Sequence, residues 1–190
     1  TIPEGSLQLG NGGTAGGIPG NVLNNGTLAF NRSDAMEIAG TISGSGSVRQ
    51  IGPGTTLLSA GNSYGGGTVV KAGTLAVAHS YALGTGPLRM DAGTTLAFAA
   101  DGLSLANPIV FTGSQDPVID TAAFDATLSG GISGAGELTK TGTGTLLLAA
   151  ANNTYTGATT VAAGTLRAGT ANAFSAASAH TVNAGATLDT

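Results

Sequence analysis

The sequence predicts an all-β chain wound as a right-handed parallel β-helix of roughly eight coils. Three observations carry that expectation. Short segments rich in Thr, Val and Leu place apolar residues two apart, and Gly or Asn-Gly punctuates them. Gly makes up 33 of the 190 residues without the every-third-residue period of collagen. The chain also repeats itself at an offset of about 90 residues, and a shorter copy falls short by about 22 residues, the size of one solenoid unit. A stacked coil loses a whole layer without disturbing the others. An antiparallel sandwich also uses short Thr-rich strands, but it predicts no such deletion.

The copies run in chain order. Gly5-Ser6-Leu7-Gln8-Leu9 resembles Gly73-Thr74-Leu75-Ala76-Val77, and Asn25-Gly26-Thr27-Leu28-Ala29-Phe30 resembles Gly93-Thr94-Thr95-Leu96-Ala97-Phe98. Ile42-Ser43-Gly44-Ser45-Gly46-Ser47-Val48 then matches Ile132-Ser133-Gly134-Ala135-Gly136-Glu137-Leu138. The match continues through Leu57-Leu58 and Leu147-Leu148, Asn62 and Asn152, Tyr64 and Tyr155, and Gly73-Thr74-Leu75 and Gly164-Thr165-Leu166. The expected organisation is one β-helix segment over 1–190, with internal repeats at about 5–41, 42–131 and 132–190. Val70, Leu75 and Val77, like Val161, Leu166 and Ala168, should point inward, and Leu147 outward between Leu146 and Leu148. Turns should fall at Asn24-Asn25-Gly26, Asn62-Ser63 and Asn152-Asn153, where positive φ is tolerated. Residues 171–179 are expected to form a short helical turn.

Composition removes several classes of function. The absence of Cys excludes disulfides and thiolate metal sites. Six Lys and Arg against ten Asp and Glu leave a net charge of −4, which gives no phosphate-backbone footprint. The N-terminus lacks a basic start and an apolar stretch, and no run approaches the length of a membrane helix. The first residue is Thr and the last three lie in a strand-like segment, so the chain is expected to be a piece of a longer protein.

The stretch Gly134-Ala135-Gly136-Glu137-Leu138-Thr139-Lys140, followed by Gly142-Thr143-Gly144-Thr145-Leu146, Asn153-Thr154-Tyr155-Thr156-Gly157 and Gly164-Thr165-Leu166, is similar to the passenger-associated transport repeat of autotransporters. The first copy departs from that pattern at Gln50, which takes the Lys slot, and at Pro53. The resemblance implies a bacterial surface or secreted protein, with a C-terminal β-barrel translocator in the full-length chain. It also implies a passenger that folds outside the cell by progressive stacking. Adhesion to a host surface or to neighbouring bacterial cells is the alternative role.

Candidate chemistry is sparse. Gly61-Asn62-Ser63-Tyr64-Gly65 fits a nucleophile-elbow pattern, but no helix is expected after it. His79 and His180 stand about a hundred residues apart at non-equivalent repeat positions. Asp116, Asp120 and Asp125 form an acidic cluster whose oxygens could hold Ca²⁺, without the glycine-rich calcium repeat. Thr139, Thr141, Thr143 and Thr145 alternate as in the flat arrays of ice-binding solenoids. The matching residues Arg49, Ile51, Pro53 and Thr55 do not continue that array. Gly10-Asn11-Gly12-Gly13 lacks the strand–helix context of a dinucleotide loop. The expectation is therefore no enzyme, no catalytic residue, no metal, no cofactor, no nucleic acid and no small-molecule substrate. The residues expected to matter are the repeating corners Asn62, Tyr64, Gly73, Asn152, Tyr155 and Gly164. There Asn should bond the turn backbone and Tyr should cover the coil edge.

Overall fold

The structure, a computed structural model, describes residues 1–113 and 117–190. The strands in chain order are β1 (Ser6–Leu9), β2 (Val22–Leu23), β3 (Thr27–Phe30), β4 (Ala35–Ile38), β5 (Ile42–Ser43), β6 (Ser47–Gln50), β7 (Thr55–Leu58) and β8 (Thr68–Val70). There follow β9 (Thr74–Val77), β10 (Leu88–Met90), β11 (Thr95–Phe98), β12 (Leu103–Leu105), β13 (Ile109–Phe111), β14 (Val118–Asp120) and β15 (Ala126–Leu128). The last are β16 (Ile132–Gly134), β17 (Leu138–Thr141), β18 (Thr145–Leu148), β19 (Thr159–Val161), β20 (Thr165–Ala168), β21 (His180–Val182) and β22 (Thr187–Asp189). None of the described residues is helical.

The strands stack into three faces. The first face runs β1-β3-β6-β8-β10-β13-β16. The second runs β4-β7-β9-β11-β14-β17-β19-β21. The third holds β2-β5 and, further along, β12-β15-β18-β20-β22. Every pairing between strands is parallel, as in Leu28↔Val48, Val48↔Thr68 and Leu88↔Ile109. Parallel pairing of strands separated by about 21 residues requires a crossover, and such crossovers are right-handed almost without exception. The result is a solenoid of about nine turns. The estimate of eight coils rests on roughly 20 to 25 residues per coil, whereas the registers step by 19 to 23 residues, for example Thr56↔Leu75 and Leu96↔Ile119.

The core is a set of inward rows running along the axis. Leu28, Val48, Thr68, Leu88, Ile109 and Ile132 form one on the first face, and all six are buried. Ala126, Leu146 and Leu166 form another on the third. Alternation sets these rows: Leu146 and Leu148 are buried while Leu147 faces out. Val70, Leu75, Val77, Val161 and Leu166 also point inward, with Ala168 half-buried at the edge. The narrow section explains the scarcity of bulky side chains.

The two long sequence copies do not occupy the same face. β6 lies in the first face, but its counterpart β17 lies in the second; β7 lies in the second, and its counterpart β18 in the third. An offset of about 90 residues is four turns and one face at these registers. Inward and outward positions are nevertheless preserved, since Val48 and Leu138, or Leu58 and Leu148, are all buried. The three faces are therefore interchangeable hosts for one strand pattern. The shorter copy fits the same count. From β1 to β5 the chain stops one face short of two turns, and from β9 to β16 it stops one face short of three.

Two local expectations are corrected. Residues 171–179 form no helix; Ala173 N–H donates to Thr170 O and Ser178 N–H to Ser175 O, which closes two separate turns. Thr139, Thr141, Thr143 and Thr145 do not share a face, because Gly142 at φ 78° turns the chain between β17 and β18. A row of threonines broken once, by Val118, runs along the axis instead. Thr55, Thr74, Thr95, Val118, Thr139, Thr160 and Thr181 pair in register on the outside of the second face. It is invisible to a search for local alternation and emerges only at a step of 19 to 23 residues.

Candidate functional site

The residues with the most demanding geometry are the coil corners. Asn62 is buried, and its Oδ1 accepts from Ile42 N–H at 2.7 Å. Its Nδ2 donates to Ala82 O at 2.6 Å. One amide thus fastens three successive coils. Asn153 does the same in the second copy: Oδ1 accepts from Ile132 N–H at 2.6 Å, and Nδ2 donates to Ala173 O. The equivalent of Asn62 is therefore Asn153 and not Asn152. Asn152 is exposed at φ 59°, and its N–H donates to the carbonyl of Asn172, itself at φ 62°. Asn tolerates the left-handed region, so Asn152 turns the backbone while its neighbour clamps. The signal was present in the Asn-x-Tyr spacing, Asn62-Ser63-Tyr64 and Asn153-Thr154-Tyr155.

Tyr64 and Tyr155 are fully buried and fill the interior, rather than covering the coil edge as expected. Tyr64 shares a 2.6 Å hydrogen bond with Thr68, and Tyr155 a 2.7 Å bond with Thr159. The Tyr155 ring meets Phe111 edge-on, with centroids 6.2 Å apart. Burial pushes both phenols above their ordinary pKa, partly offset by the hydrogen bonds they share with Thr68 and Thr159. An apolar ring with one polar tip suits an interior that offers a hydroxyl at Thr68 or Thr159.

Gly73 and Gly164 both take φ 65°. A Cβ at Gly73 would meet Gly52 O and Gly54 O, and one at Gly164 would meet Gly142 O and Gly144 O. The corner packs directly on the backbone of the coil beneath it.

Gln50 and Lys140, which the sequence matched as one slot, also hold equivalent jobs. Gln50 is buried, donates through Nε2 to Gly52 O at 2.9 Å and Gly54 O at 3.1 Å, and accepts from Thr56 at 2.7 Å. Lys140 is buried too, and its Nζ donates to Thr141 O, Gly142 O and Ala163 O at 2.7, 2.8 and 3.2 Å. Burial pushes the Lys140 amine down to about 8, partly offset by Asp120 and Asp125. A long side chain with terminal N–H groups satisfies the glycine-turn carbonyls from inside, and either residue type supplies them.

The reactive candidates do not converge. Ser63 is exposed, and its N–H donates to Ile42 O as part of the coil ladder. His79 stacks on Tyr81 at 5.7 Å and accepts from its N–H, while His180 meets Phe174. Asp116 lies outside the described residues. Asp120 accepts from Ala122 N–H. Asp125 accepts from Thr145 N–H, which holds its carboxyl below the usual range, and its own N–H donates to Asp101. These carboxylates cap turns in successive coils. Among the described residues no three His, Asp or Glu side chains gather as metal ligands.

Comparison with known proteins fits this geometry. The profile of the passenger-associated-transport-repeat family matches residues 48–77 and 138–168, the two segments that carry the Gln50 and Lys140 corners and the two Asn-x-Tyr clamps. The chain is similar to the adhesin autotransporter BmaC of Brucella suis biovar 1. The two are 37% identical over 107 residues, which is 56% of this chain and 3% of that protein. The chain thus spans a small fraction of this relative's length. No solved structure matches it.

Proposed function

From an autotransporter passenger that carries two passenger-associated transport repeats, we propose that this segment is a structural stalk. In the full-length protein it displays a distal region at the bacterial surface. It assists export by adding one coil after another as the chain emerges through a C-terminal β-barrel anchored in the outer membrane. Its work is done by shape, without catalysis or a cofactor. The observation that carries the reading is the three-coil clamp. Asn62 ties residues 42, 62 and 82 together, and Asn153 ties 132, 153 and 173. Each coil therefore offers a finished template for the next, and contacts stay between near neighbours, as progressive folding needs.

Deletion distinguishes this reading from a passive tail. Thr68 pairs with Leu88, so removing residues 68–87 excises one whole turn. Export of a full-length passenger with that deletion is expected to stay near wild type, measured as surface-exposed protein. Removing 68–77 takes out two faces of one turn and is expected to trap most of the passenger in the periplasm. Equal tolerance of the two deletions contradicts the reading.

A second reading has its own support. The relative is named an adhesin, and the solenoid exposes three long lateral faces. Adhesion to a host surface or to neighbouring cells through one of these faces is the alternative role.

A further inference from the structure

The cations of this acidic chain are not scattered. Arg32, Arg49, Lys71 and Arg89 lie on or beside the first face within four successive coils, out of six Lys and Arg in all. Of the other two, Lys140 is buried and Arg167 pairs with Asp189 on the third face. Arg32 is held by Asp34 at 2.7 Å, and Lys71 lies 3.7 Å from Asp91. The side chains of Arg49 and Arg89 are exposed and have no ion-pair or hydrogen-bond partner among the described residues. The corners that lead into this face, Gly44-Ser45-Gly46, Gly65-Gly66-Gly67 and Gly84-Thr85-Gly86-Pro87, carry no carboxylate.

Arg49 and Arg89 share one outward row, Arg49↔Val69↔Arg89↔Val110. Two coils separate them, so their backbones stand ~9.6 Å apart along the axis. Val69 lies between them, half-buried and apolar. We propose that this row binds an acidic polysaccharide that runs along the solenoid axis and carries one carboxylate or sulfate per disaccharide. Two coils are close to the length of a disaccharide, so alternate sugars bring an anion to each guanidinium. Arg binds planar oxyanions in a forked, two-bond geometry. The intervening sugar lays its apolar face on Val69. The remaining negative charge of the chain lies mostly on other faces or further along the axis, and at physiological salt its field decays over ~8 Å. This inference deepens the adhesion reading and rests on it.

The probe is a hyaluronan octasaccharide titrated into the full 190-residue chain, with binding followed by calorimetry or amide shifts. The expected result is saturable binding that weakens with salt, is absent for a neutral glucan of equal length, and weakens at least tenfold in the double variant Arg49→Ser, Arg89→Ser. The control Arg167→Ser should bind like the parent chain. No binding at low salt overturns the proposal, as does binding that the double variant retains. Equal binding of a DNA oligonucleotide of the same charge also overturns it, because charge alone would then be read and not spacing. Bacteria displaying the chain separate the two levels. Adhesion that persists while hyaluronan fails to bind removes the ligand class and leaves the adhesion reading standing. Absence of adhesion with confirmed display removes both.

Discussion

Replacing Gly164 by Ala is expected to destabilise the chain by roughly 2–5 kcal/mol, the sum of left-handed strain on an L-residue and a forced backbone shift. The backbone sits at φ 65°, and the new methyl would strike the carbonyls of Gly142 and Gly144 in the coil beneath. Those carbonyls belong to backbone and cannot swing aside as a side chain would. Gly73→Ala should behave alike, against Gly52 and Gly54. Gly93 provides the control. It takes φ 69°, yet no atom lies within 4 Å of its added Cβ, so Gly93→Ala should cost only about 1–2 kcal/mol of backbone strain. Urea midpoints of the three variants read the difference. Equal losses at Gly164 and Gly93 would mean that the corner does not rest on its neighbour.

Truncating Tyr64 to Ala is expected to cost about 3–5 kcal/mol, because the ring is fully buried and the narrow section cannot collapse around the void. Tyr64→Phe separates the ring from its tip. It keeps the packing and strands the Thr68 hydroxyl, whose partner in the structure is the phenol, at a cost of about 1 kcal/mol. Tyr81 is 66% exposed, and Tyr81→Ala should stay within about 0.5 kcal/mol. Equilibrium unfolding followed by far-UV dichroism ranks the three. A Tyr64→Ala variant as stable as Tyr81→Ala would refute the buried placement.

The solenoid was legible because its determinants are local and repeated. Inward and outward positions follow from alternation, and Gly73 and Gly164 announce corners by recurring before Thr-Leu. The pairing of Gln50 with Lys140 was legible as a shared slot, though not as a shared job. What the sequence hid is what depends on exact turn length. A step of 19 to 23 residues, against an assumed 20 to 25, turned eight coils into nine and rotated the second long copy by one face. The same step assembles the Thr55-to-Thr181 row and the Arg49–Arg89 pair, neither of which any local window contains. The second copy carries one extra residue before its tyrosine, so both Asn152 and Asn153 are candidates for the equivalent of Asn62. The Asn-x-Tyr spacing points to Asn153, and the hydrogen bonds to Ile132 and Ala173 show that it clamps. The sequence alone does not place the tyrosines, because a phenol is at home on an edge or in a core that offers a hydroxyl, and Thr68 and Thr159 offer one.

The outward row on the second face provides the most direct test of register. Spin labels at Thr55 paired in turn with Thr95, Thr139 and Thr181 lie two, four and six coils apart. Pulsed dipolar spectroscopy should give axial separations of ~10, ~19 and ~29 Å, growing by one strand spacing per coil. Distances that fail to increase, with the pair involving Thr139 or Thr181 folding back below the Thr95 pair, would contradict a single stacked column.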